Sequence, residues 1–264
     1  MFQYISNGLL ITEFPSLEKE LTEVLKASRM ESPFKEQGYD FNLLQTSNGG
    51  RSSVIFPKYE MSSFPKMNNN SANKALQKIV DFKNEVFSEL IKNYPILNGL
   101  EYEKCSSFHT YSVNTDDEHG FSAHIDFGMI AIVFTLGKDF EYSEDNGVTW
   151  LKLSDHVSTT KNSVIINFGR VYSTFTGKNP VLHRVTVRDT LEEYGFPDIG
   201  KFTLGFFIDV KSDTEIPQEI PYEIQGIHRQ NWQFMISNCE TFGDYNKKRI
   251  DGDIYEVDGI LTNK

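Results

Sequence analysis

Hydrophobic residues in the first hundred positions recur three and four residues apart, which is the spacing of amphipathic helices. Residues 16–29 and about 72–93 show this spacing, and Ser16 is placed to cap the first helix. Ahead of them, residues 8–14 form a short apolar run that is typical of a strand. Between the helices, residues 30–72 are polar and irregular, which indicates loops.

From residue 105 onward the pattern changes to short runs rich in Val, Ile, Phe and Thr, separated by turn-forming residues. The runs are "SSFHTYSV", "FSAHIDF", "MIAIVFTL", "GVTWLKL", "NSVIINF", "VLHRVTV" and "KFTLGFFIDV". Their density predicts an all-β sandwich or barrel, followed by a helix around residues 241–250. We expect a mainly β fold with flanking helices. In it, residues 1–100 form an N-terminal strand and helical layer packed on a core of residues 101–264.

Composition narrows the class of protein. The 264 residues are 39% hydrophobic and 13% aromatic, which is enough to fill a sizeable core and excludes general disorder. The net charge of -11 argues against a nucleic-acid partner, because such proteins usually carry basic surfaces. No apolar run approaches the roughly 20 residues of a membrane span, so no membrane partner is predicted. Two cysteines and the absence of signal-peptide features predict a reducing, cytoplasmic location.

Candidate chemistry begins with His124 and Asp126, which lie two residues apart in a predicted strand. Alternate residues of a strand face the same side, so both side chains could bind one ion. This pair alone is a weak signal, because such pairs are common by chance. His183, in a second predicted strand, would complete a set of two imidazoles and one carboxylate. That set is the facial triad of non-haem Fe(II) oxygenases, which leaves positions open for O2 and a co-substrate.

The order of several motifs resembles the Fe(II)/2-oxoglutarate dioxygenases, specifically the isopenicillin-N-synthase-like branch, over about residues 105–250. "HIDFGMIAIVF" is similar to that family's H-x-D strand and the strand that follows it, and "GVTWLKL" to a Trp-bearing hairpin. "NSVIINFGRVYSTFTGKNPVLHRVTV" is similar to the stretch from the N-x-G strand to the distal histidine. "KFTLGFFID" resembles the strand that begins with R-x-S, and "TFGDYNKKRI" resembles the C-terminal helix.

The resemblance implies a double-stranded β-helix (jelly-roll) core in which His124, Asp126 and His183 hold Fe(II). It also implies an oxidoreductase mechanism. The co-substrate 2-oxoglutarate binds the iron, O2 takes the open position, and decarboxylation to succinate yields the oxidant. Substrate hydroxylation, desaturation or cyclisation would follow. Halogenation is not expected, because related halogenases have a small residue in place of the carboxylate of Asp126.

Lys201 and Thr203 stand where the family has R-x-S, and the resemblance assigns that motif to the distal carboxylate of 2-oxoglutarate. The two share a strand face, and lysine can pair the carboxylate as a point charge. Arg188 is the rival anchor, but strand parity from His183 puts it on the opposite face. Tyr111 matches a tyrosine that often hydrogen-bonds the co-substrate, and a buried core tyrosine is its equally weighted alternative.

Substrate residues are expected on loops at the mouth of the barrel. Arg51 is the first candidate cation for a substrate carboxylate, with Arg170 and Arg184 as weaker ones. We therefore expect a small polar metabolite such as an amino acid or peptide. Asn167 and Gly169 match the family's strand ahead of the distal histidine, and turn formation and packing are their expected roles. The remaining histidines are predicted to be exposed or hydrogen-bonded in the structure, namely His109, His119, His156 and His228.

Two other functions remain open. The first is an oxidase of the same fold that uses O2 without 2-oxoglutarate, and the release of succinate would exclude it. The second is a non-enzymatic jelly-roll binding domain, in which His124, Asp126 and His183 are ordinary strand residues and bind no Fe(II). The oligomeric state is not indicated by any pattern in the sequence.

Overall fold

The computed structural model describes residues 2–29, 44–45, 51–56, 66–98, 102–112, 119–137, 140–156, 162–187, 189–257 and 259–264. The helices are α1 (Leu17–Ser28), α2 (Asn70–Asn93), α3 (Arg170–Thr176), α4 (Gly226–Asn238) and α5 (Phe242–Ile250). The strands are β1 (Gln3–Ser6), β2 (Leu9–Glu13), β3 (Leu44–Gln45), β4 (Arg51–Phe56), β5 (Tyr102–Ser112), β6 (His119–His124), β7 (Ile130–Leu136), β8 (Glu141–Ser143), β9 (Leu151–Lys152), β10 (Ser163–Phe168), β11 (Leu182–Thr186), β12 (Ile199–Val210), β13 (Ile254–Val257) and β14 (Ile260–Asn263).

Two antiparallel sheets dominate the fold. The larger sheet has eight strands in the order β1-β2-β10-β7-β12-β5-β4-β3, and the smaller has four in the order β6-β11-β8-β9. Strands β13 and β14 form a separate hairpin. Because most neighbours in the sheets are distant in the chain, the connections cross between the sheets, as they do in jelly rolls. The mainly β fold is therefore confirmed, and its sheets are consistent with a jelly-roll core.

The two faces of the large sheet have different coverings. On one face, Ile132 and Leu204 join a hydrophobic cluster that includes Leu21 of α1 and Ile79 of α2. Residues of opposite parity on the same sheet point the other way. On that second face, Ile11 and Ile165 cluster with Tyr142 of the smaller sheet. The helices therefore cover one face, and the smaller sheet covers the other.

The predicted strand at residues 8–14 and the helices predicted at 16–29, about 72–93 and 241–250 are confirmed. Ser16 occupies the capping position of α1, but its side chain makes no capping hydrogen bond. The division at residue 100 stays a prediction. Strands β1 to β4, which precede that boundary, pair within the same large sheet as the later strands, so backbone hydrogen bonds join the two regions. Within the described residues, no helix is long and apolar enough to cross a membrane.

Several short elements were absent from the sequence prediction. The "GVTWLKL" run supplies only the two-residue strand β9, and the preceding strand β8 has three residues. Strand β8 is too short for its alternation to be recognised, and β9 is only part of the predicted run. Helices α3 and α4 and the hairpin of β13 and β14 were also missed. Helix α4 buries only three residues, so its apolar stripe is faint.

Candidate metal site

The three predicted ligands meet in space. Nε2 of His124 and Nε2 of His183 each lie 3.8 Å from Oδ1 of Asp126. The three ligand atoms all lie within 4.8 Å of one another, and the described residues contain no second group of this kind. Atoms bound about 2.1 Å from one ion can be up to about 4.2 Å apart, so the 3.8 Å separations fit a shared ion.

Strand pairing brings the two histidines together. His183 on β11 is the direct antiparallel partner of His124 on β6. Directly opposed residues of two strands project to the same face, and the two imidazole centroids are 4.3 Å apart. The backbone of the smaller sheet therefore fixes two of the three ligands.

Each imidazole is oriented through its Nδ1 atom. Nδ1 of His124 lies 2.8 Å from the carbonyl oxygen of Ser122, and Nδ1 of His183 lies 3.2 Å from that of Val181. A carbonyl oxygen only accepts, so we assign the proton to Nδ1 in both rings. The unprotonated Nε2 atoms then face Asp126, which is the tautomer that metal binding through Nε2 requires.

Aromatic rings pack against both histidines. Phe140 stacks on His183 with centroids 5.2 Å apart, and Phe121 meets His124 edge-on at 4.2 Å. These contacts restrict rotation of the imidazoles. Neither phenylalanine was identified from the sequence, because nothing local distinguishes it from the other aromatic residues of this chain.

Asp126 reaches the site from a loop, which contradicts the prediction that it shares a strand with His124. Strand β6 ends at His124, and Asp126 lies in the following loop, residues 125–129, which we call the ligand loop. The start of α3 holds this loop. The amide of Arg170 donates to the carbonyl of Asp126 at 2.8 Å, and that of Val171 donates to the carbonyl of Gly128 at 3.2 Å. The first amides of a helix lack partners within it, so loop carbonyls satisfy them here.

Asn167 and Gly169 complete the support of Asp126. The Asn167 amide nitrogen donates to Oδ2 of Asp126 at 3.3 Å, while Oδ1 of Asp126 faces the histidines. A Cβ on Gly169 would lie 2.2 Å from the carbonyl oxygen of Gly128, so only glycine allows α3 to approach the ligand loop. Turn and packing roles were expected for both residues. The contact of Asn167 with the ligand carboxylate is an additional role.

Lys201, Thr203 and Tyr111 lie together on the large sheet, on the face opposite helices α1 and α2. Lys201 on β12 is the direct partner of Tyr111 on β5. Their exposures are 2% for Lys201, 7% for Thr203 and 4% for Tyr111. Tyr111 also packs with Val185 and Phe121, which belong to the two histidine strands. The three predicted co-substrate residues therefore lie between the large sheet and the strands that carry the histidines.

The cations predicted to bind the co-substrate or the substrate have different positions. Arg188 and the side chain of Arg51 lie outside the described residues. Arg170 is only 2% exposed, and its guanidinium donates to the hydroxyl of Tyr245 at 3.2 Å and forms an ion pair with Glu256 at 3.2 Å. Burial opposes this charge, but Tyr245 and Glu256 outweigh burial and raise the pKa of Arg170. Arg170 is thus held within the protein and offers almost no surface to a substrate.

Two further predicted residues, Arg184 and His228, differ in how the protein holds them. Arg184 forms a 2.7 Å ion pair with Glu141 and lies 4.0 Å over the ring of Trp150. His228 is half-buried, and the prediction that it is exposed or hydrogen-bonded fails for one of its ring nitrogens. Its Nδ1 is buried without a hydrogen-bond partner among the described residues, and burial, assisted by Arg170, lowers its pKa to about 4.

A cavity of about 300 Å³ opens where β7 ends and β12 begins, and none of the three candidate ligands lines it. Its polar walls include Glu18, Asp189 and Glu193. Carboxylates of this number would repel a dicarboxylate such as 2-oxoglutarate. The cavity is therefore separate from the candidate metal site.

No protein-family model matches the chain, and no curated protein matches it significantly. Solved structures do match. A full-length Neurospora crassa protein, in complex with alpha-KG and 5-formyluracil, gives a TM-score of 0.59 at 13% identity, over 88% of this chain and 86% of that one. The rice dioxygenase for auxin oxidation gives 0.62 at 12% identity, over 93% and 86%. JOX2, in complex with 2OG, Fe and JA, gives 0.56 at 17% identity, over 88% and 78%. The chain has the fold of these dioxygenases.

Proposed function

We propose that the chain is a non-haem Fe(II) oxygenase that couples decarboxylation of 2-oxoglutarate to succinate with oxidation of a small molecule. The convergence of His124, Asp126 and His183 on one point carries this proposal. Two imidazoles and one carboxylate leave coordination positions for O2 and a co-substrate. The shared fold with dioxygenases solved with 2-oxoglutarate, and with iron in JOX2, supports it.

The surroundings of the triad fit a bound metal ion. Oδ1 of Asn167 is buried beside Asp126 and has no hydrogen-bond partner among the described residues, so it can accept from a water on the metal. The mixed nitrogen and oxygen donors suit Fe(II). Cys239, the cysteine whose side chain is described, is no rival ligand, because burial raises its pKa to about 11.

When bound, the iron would activate O2 and drive the decarboxylation of 2-oxoglutarate. The chain's own residues hold the reactants. The Nε2 atoms of His124 and His183 and Oδ1 of Asp126 would bind the metal. Asn167 holds the second oxygen of Asp126, and Phe140 keeps the ring of His183 in place and excludes water behind it.

For the co-substrate, Lys201 is proposed to pair with the distal carboxylate of 2-oxoglutarate, with Thr203 and Tyr111 as hydroxyl donors. Support comes from their shared sheet face, their burial and the packing of Tyr111 against the histidine strands. A charge pair is stronger in such a water-poor setting than at the surface. Arg188 remains the alternative anchor.

The substrate is proposed to be a small polar metabolite, such as an amino acid or a peptide. Because Glu256 and Tyr245 hold Arg170, Arg51 is the remaining candidate for binding a substrate carboxylate. The isopenicillin-N-synthase-like branch, a cytoplasmic location and the lack of nucleic-acid and membrane partners stay predictions.

Anaerobic addition of Fe(II) and then 2-oxoglutarate tests the proposed function. We expect a visible metal-to-ligand charge-transfer band in the wild type and none in His183→Ala. Iron binding without the band would favour the oxidase that does not use 2-oxoglutarate. No iron binding at all would favour the non-enzymatic domain and overturn the proposal.

A further inference from the structure

The ligand loop is held from its outer side by the hairpin of β13 and β14. Oε1 of Glu256, on β13, accepts the backbone amide of Ile125 at 2.9 Å. Ile125 stands between the two ligands His124 and Asp126, and it is 0% exposed. A residue near the end of the chain therefore hydrogen-bonds the backbone between two candidate metal ligands.

The second oxygen of Glu256 extends this contact around Asp126. Oε2 of Glu256 lies 3.2 Å from the guanidinium of Arg170, and only 7% of the Glu256 side chain is exposed. The backbone amide of Arg170 in turn donates to the carbonyl of Asp126 at 2.8 Å. The buried ion pair thus connects to the ligand loop at the Ile125 amide and, through the main chain of Arg170, at the Asp126 carbonyl.

The hairpin itself is fixed to the protein body. The Asn231 side chain, on α4, donates to the carbonyl of Gly259 at 2.6 Å and accepts the amide of Leu261 at 2.8 Å. The hairpin that carries Glu256 is therefore held in place by α4.

Helix α5 contacts the ligand loop directly, because the guanidinium of Arg249 lies 4.1 Å over the ring of Phe127.

Asp126 needs such support more than the histidines do. Pairing of β6 with β11 fixes His124 and His183, whereas Asp126 lies beyond the end of β6. Its position relative to the histidines depends on the contacts of the ligand loop. Groups that orient metal ligands without touching the metal commonly change metal affinity by about 10- to 100-fold.

We propose that Glu256, acting with Arg170, is a positioning residue that sets the place of Asp126 in the metal site. This inference rests on the proposed function, because it takes the triad to be a metal site. Loss of Glu256 leaves the Ile125 amide without its acceptor and the buried Arg170 guanidinium without its counter-charge. The ligand loop then shifts, and the carboxylate of Asp126 no longer holds its position opposite both imidazoles.

The test uses Co(II) as the probe, because its visible spectrum reports ligand number and geometry without any turnover. Glu256→Ala is expected to weaken Co(II) binding at least about tenfold and to change the spectrum. The matched control is Tyr255→Ala, an exposed neighbour on the same strand, which should keep wild-type affinity and spectrum. Circular dichroism and urea unfolding establish that each variant is folded at the titration temperature.

A second variant separates positioning from general stability. Glu256→Gln keeps an oxygen that can accept the Ile125 amide but loses the charge opposite Arg170. We expect its Co(II) affinity and spectrum to lie between those of the wild type and Glu256→Ala. If Glu256→Ala does not fold, the spectrum and affinity of Glu256→Gln decide the question.

Two outcomes contradict the proposals separately. Folded Glu256 variants with wild-type Co(II) affinity and spectrum would overturn the positioning role and leave the metal site intact. A wild-type protein that binds neither Co(II) nor Fe(II) would overturn the proposed function itself.

Discussion

At the scale of single residues, the side-chain amide of Asn167 orients the carboxylate of Asp126. Asn167 donates to Oδ2 of Asp126 while Oδ1 faces the histidines. We expect Asn167→Ala to lower anaerobic Fe(II) affinity by about 10- to 100-fold, because the carboxylate loses the donor that orients it. Asn98→Ala, at an exposed site, serves as the control. Equal Fe(II) affinity in the two variants would contradict the role of Asn167.

Gly169 allows a backbone approach that no other residue permits. An alanine Cβ there would meet the carbonyl oxygens of Gly128 and Asp126 at 2.2 and 2.7 Å. We expect Gly169→Ala to destabilise the fold by about 2–3 kcal/mol and to abolish metal binding, because the ligand loop must move.

Gly195→Ala is the matched control for Gly169→Ala. Gly195 has φ +86° and no atom within 4 Å of an added Cβ, so alanine there costs only about 1–2 kcal/mol of left-handed strain. Its metal binding should stay at the wild-type level. Urea unfolding and Fe(II) titration of both variants measure the contrast.

Lys201 provides a test of the co-substrate site. We expect Lys201→Ala to bind Fe(II) as the wild type does but to lose most of the charge-transfer band with 2-oxoglutarate, because the ammonium that pairs with the distal carboxylate is gone. Arg188→Ala is the comparison variant. If the charge-transfer band were absent in Arg188→Ala and present in Lys201→Ala, Arg188 would replace Lys201 as the anchor of 2-oxoglutarate.

His228 gives the fold a dependence on pH. Its folded pKa of about 4 lies below the ordinary value of about 6.5, so the unfolded chain takes up the proton first. Above about pH 6.5, His228 does not change the free energy of unfolding with pH. From about pH 6.5 down to 4 it lowers that free energy increasingly. We expect His228→Gln to lose less stability than the wild type across that window, by on the order of 1–3 kcal/mol in urea unfolding.

Residue types and their order were sufficient to predict the three residues that the structure brings together as candidate ligands, since each appears in a recognisable motif. The position of Arg170 could not be predicted. Its partner Glu256 lies far along the chain in a hairpin with no sequence signature, so a cation expected at the barrel mouth is instead buried beside the ligand loop.

At the scale of elements, α1 and α2 are held together by a partly buried ion pair on the far side of the sheet from the triad. Lys78 of α2 lies 2.6 Å from Glu20 of α1, which is 3% exposed. We expect Lys78→Ala to destabilise the fold by about 1 kcal/mol, because a buried carboxylate loses its partner while Lys78 itself is mostly solvated.

Metal binding by Lys78→Ala should remain unchanged, because the helices cover the opposite face of the large sheet. Lys26→Ala, which breaks the more exposed pair with Glu23, should cost only a few tenths of a kcal/mol. Urea unfolding and Fe(II) titration check both statements. A loss of metal affinity in Lys78→Ala would show that the two faces are coupled.

Elements with long apolar alternation were predictable, and short ones were not. The long strand β12 appears clearly as a run of apolar residues because both of its faces are covered. Strand β8 has three residues and is defined by its pairing with β11, which is a tertiary contact that local sequence does not encode.

At the scale of the whole molecule, metal binding should stabilise the folded state, because strand pairing in the smaller sheet and the packing of the ligand loop against β10 and α3 bring the triad together. A ligand at 100 times its dissociation constant adds about 2.7 kcal/mol to stability. We therefore expect Co(II) to raise the thermal midpoint of the wild type and a chelator to reverse the rise. Asp126→Ala should show little or no shift. A shift of the same size in that variant would indicate metal binding elsewhere.

The sheet order also explains what sequence patterns could establish about the molecule. A mainly β core and two amphipathic helices follow from periodicity. The pairing of β2 from the start of the chain with β10 does not, because strand partners depend on the packing of the whole chain.

The different supports of the three ligands have a consequence for how the site could be assembled or altered. The imidazole pair belongs to hydrogen-bonded strands, so it is preorganised before any metal arrives. The carboxylate belongs to a loop whose position depends on contacts with other elements, so a change in those contacts would displace Asp126 before it displaced the histidines. Substitutions at that position can then change the chemistry of the centre while both nitrogen donors stay in place.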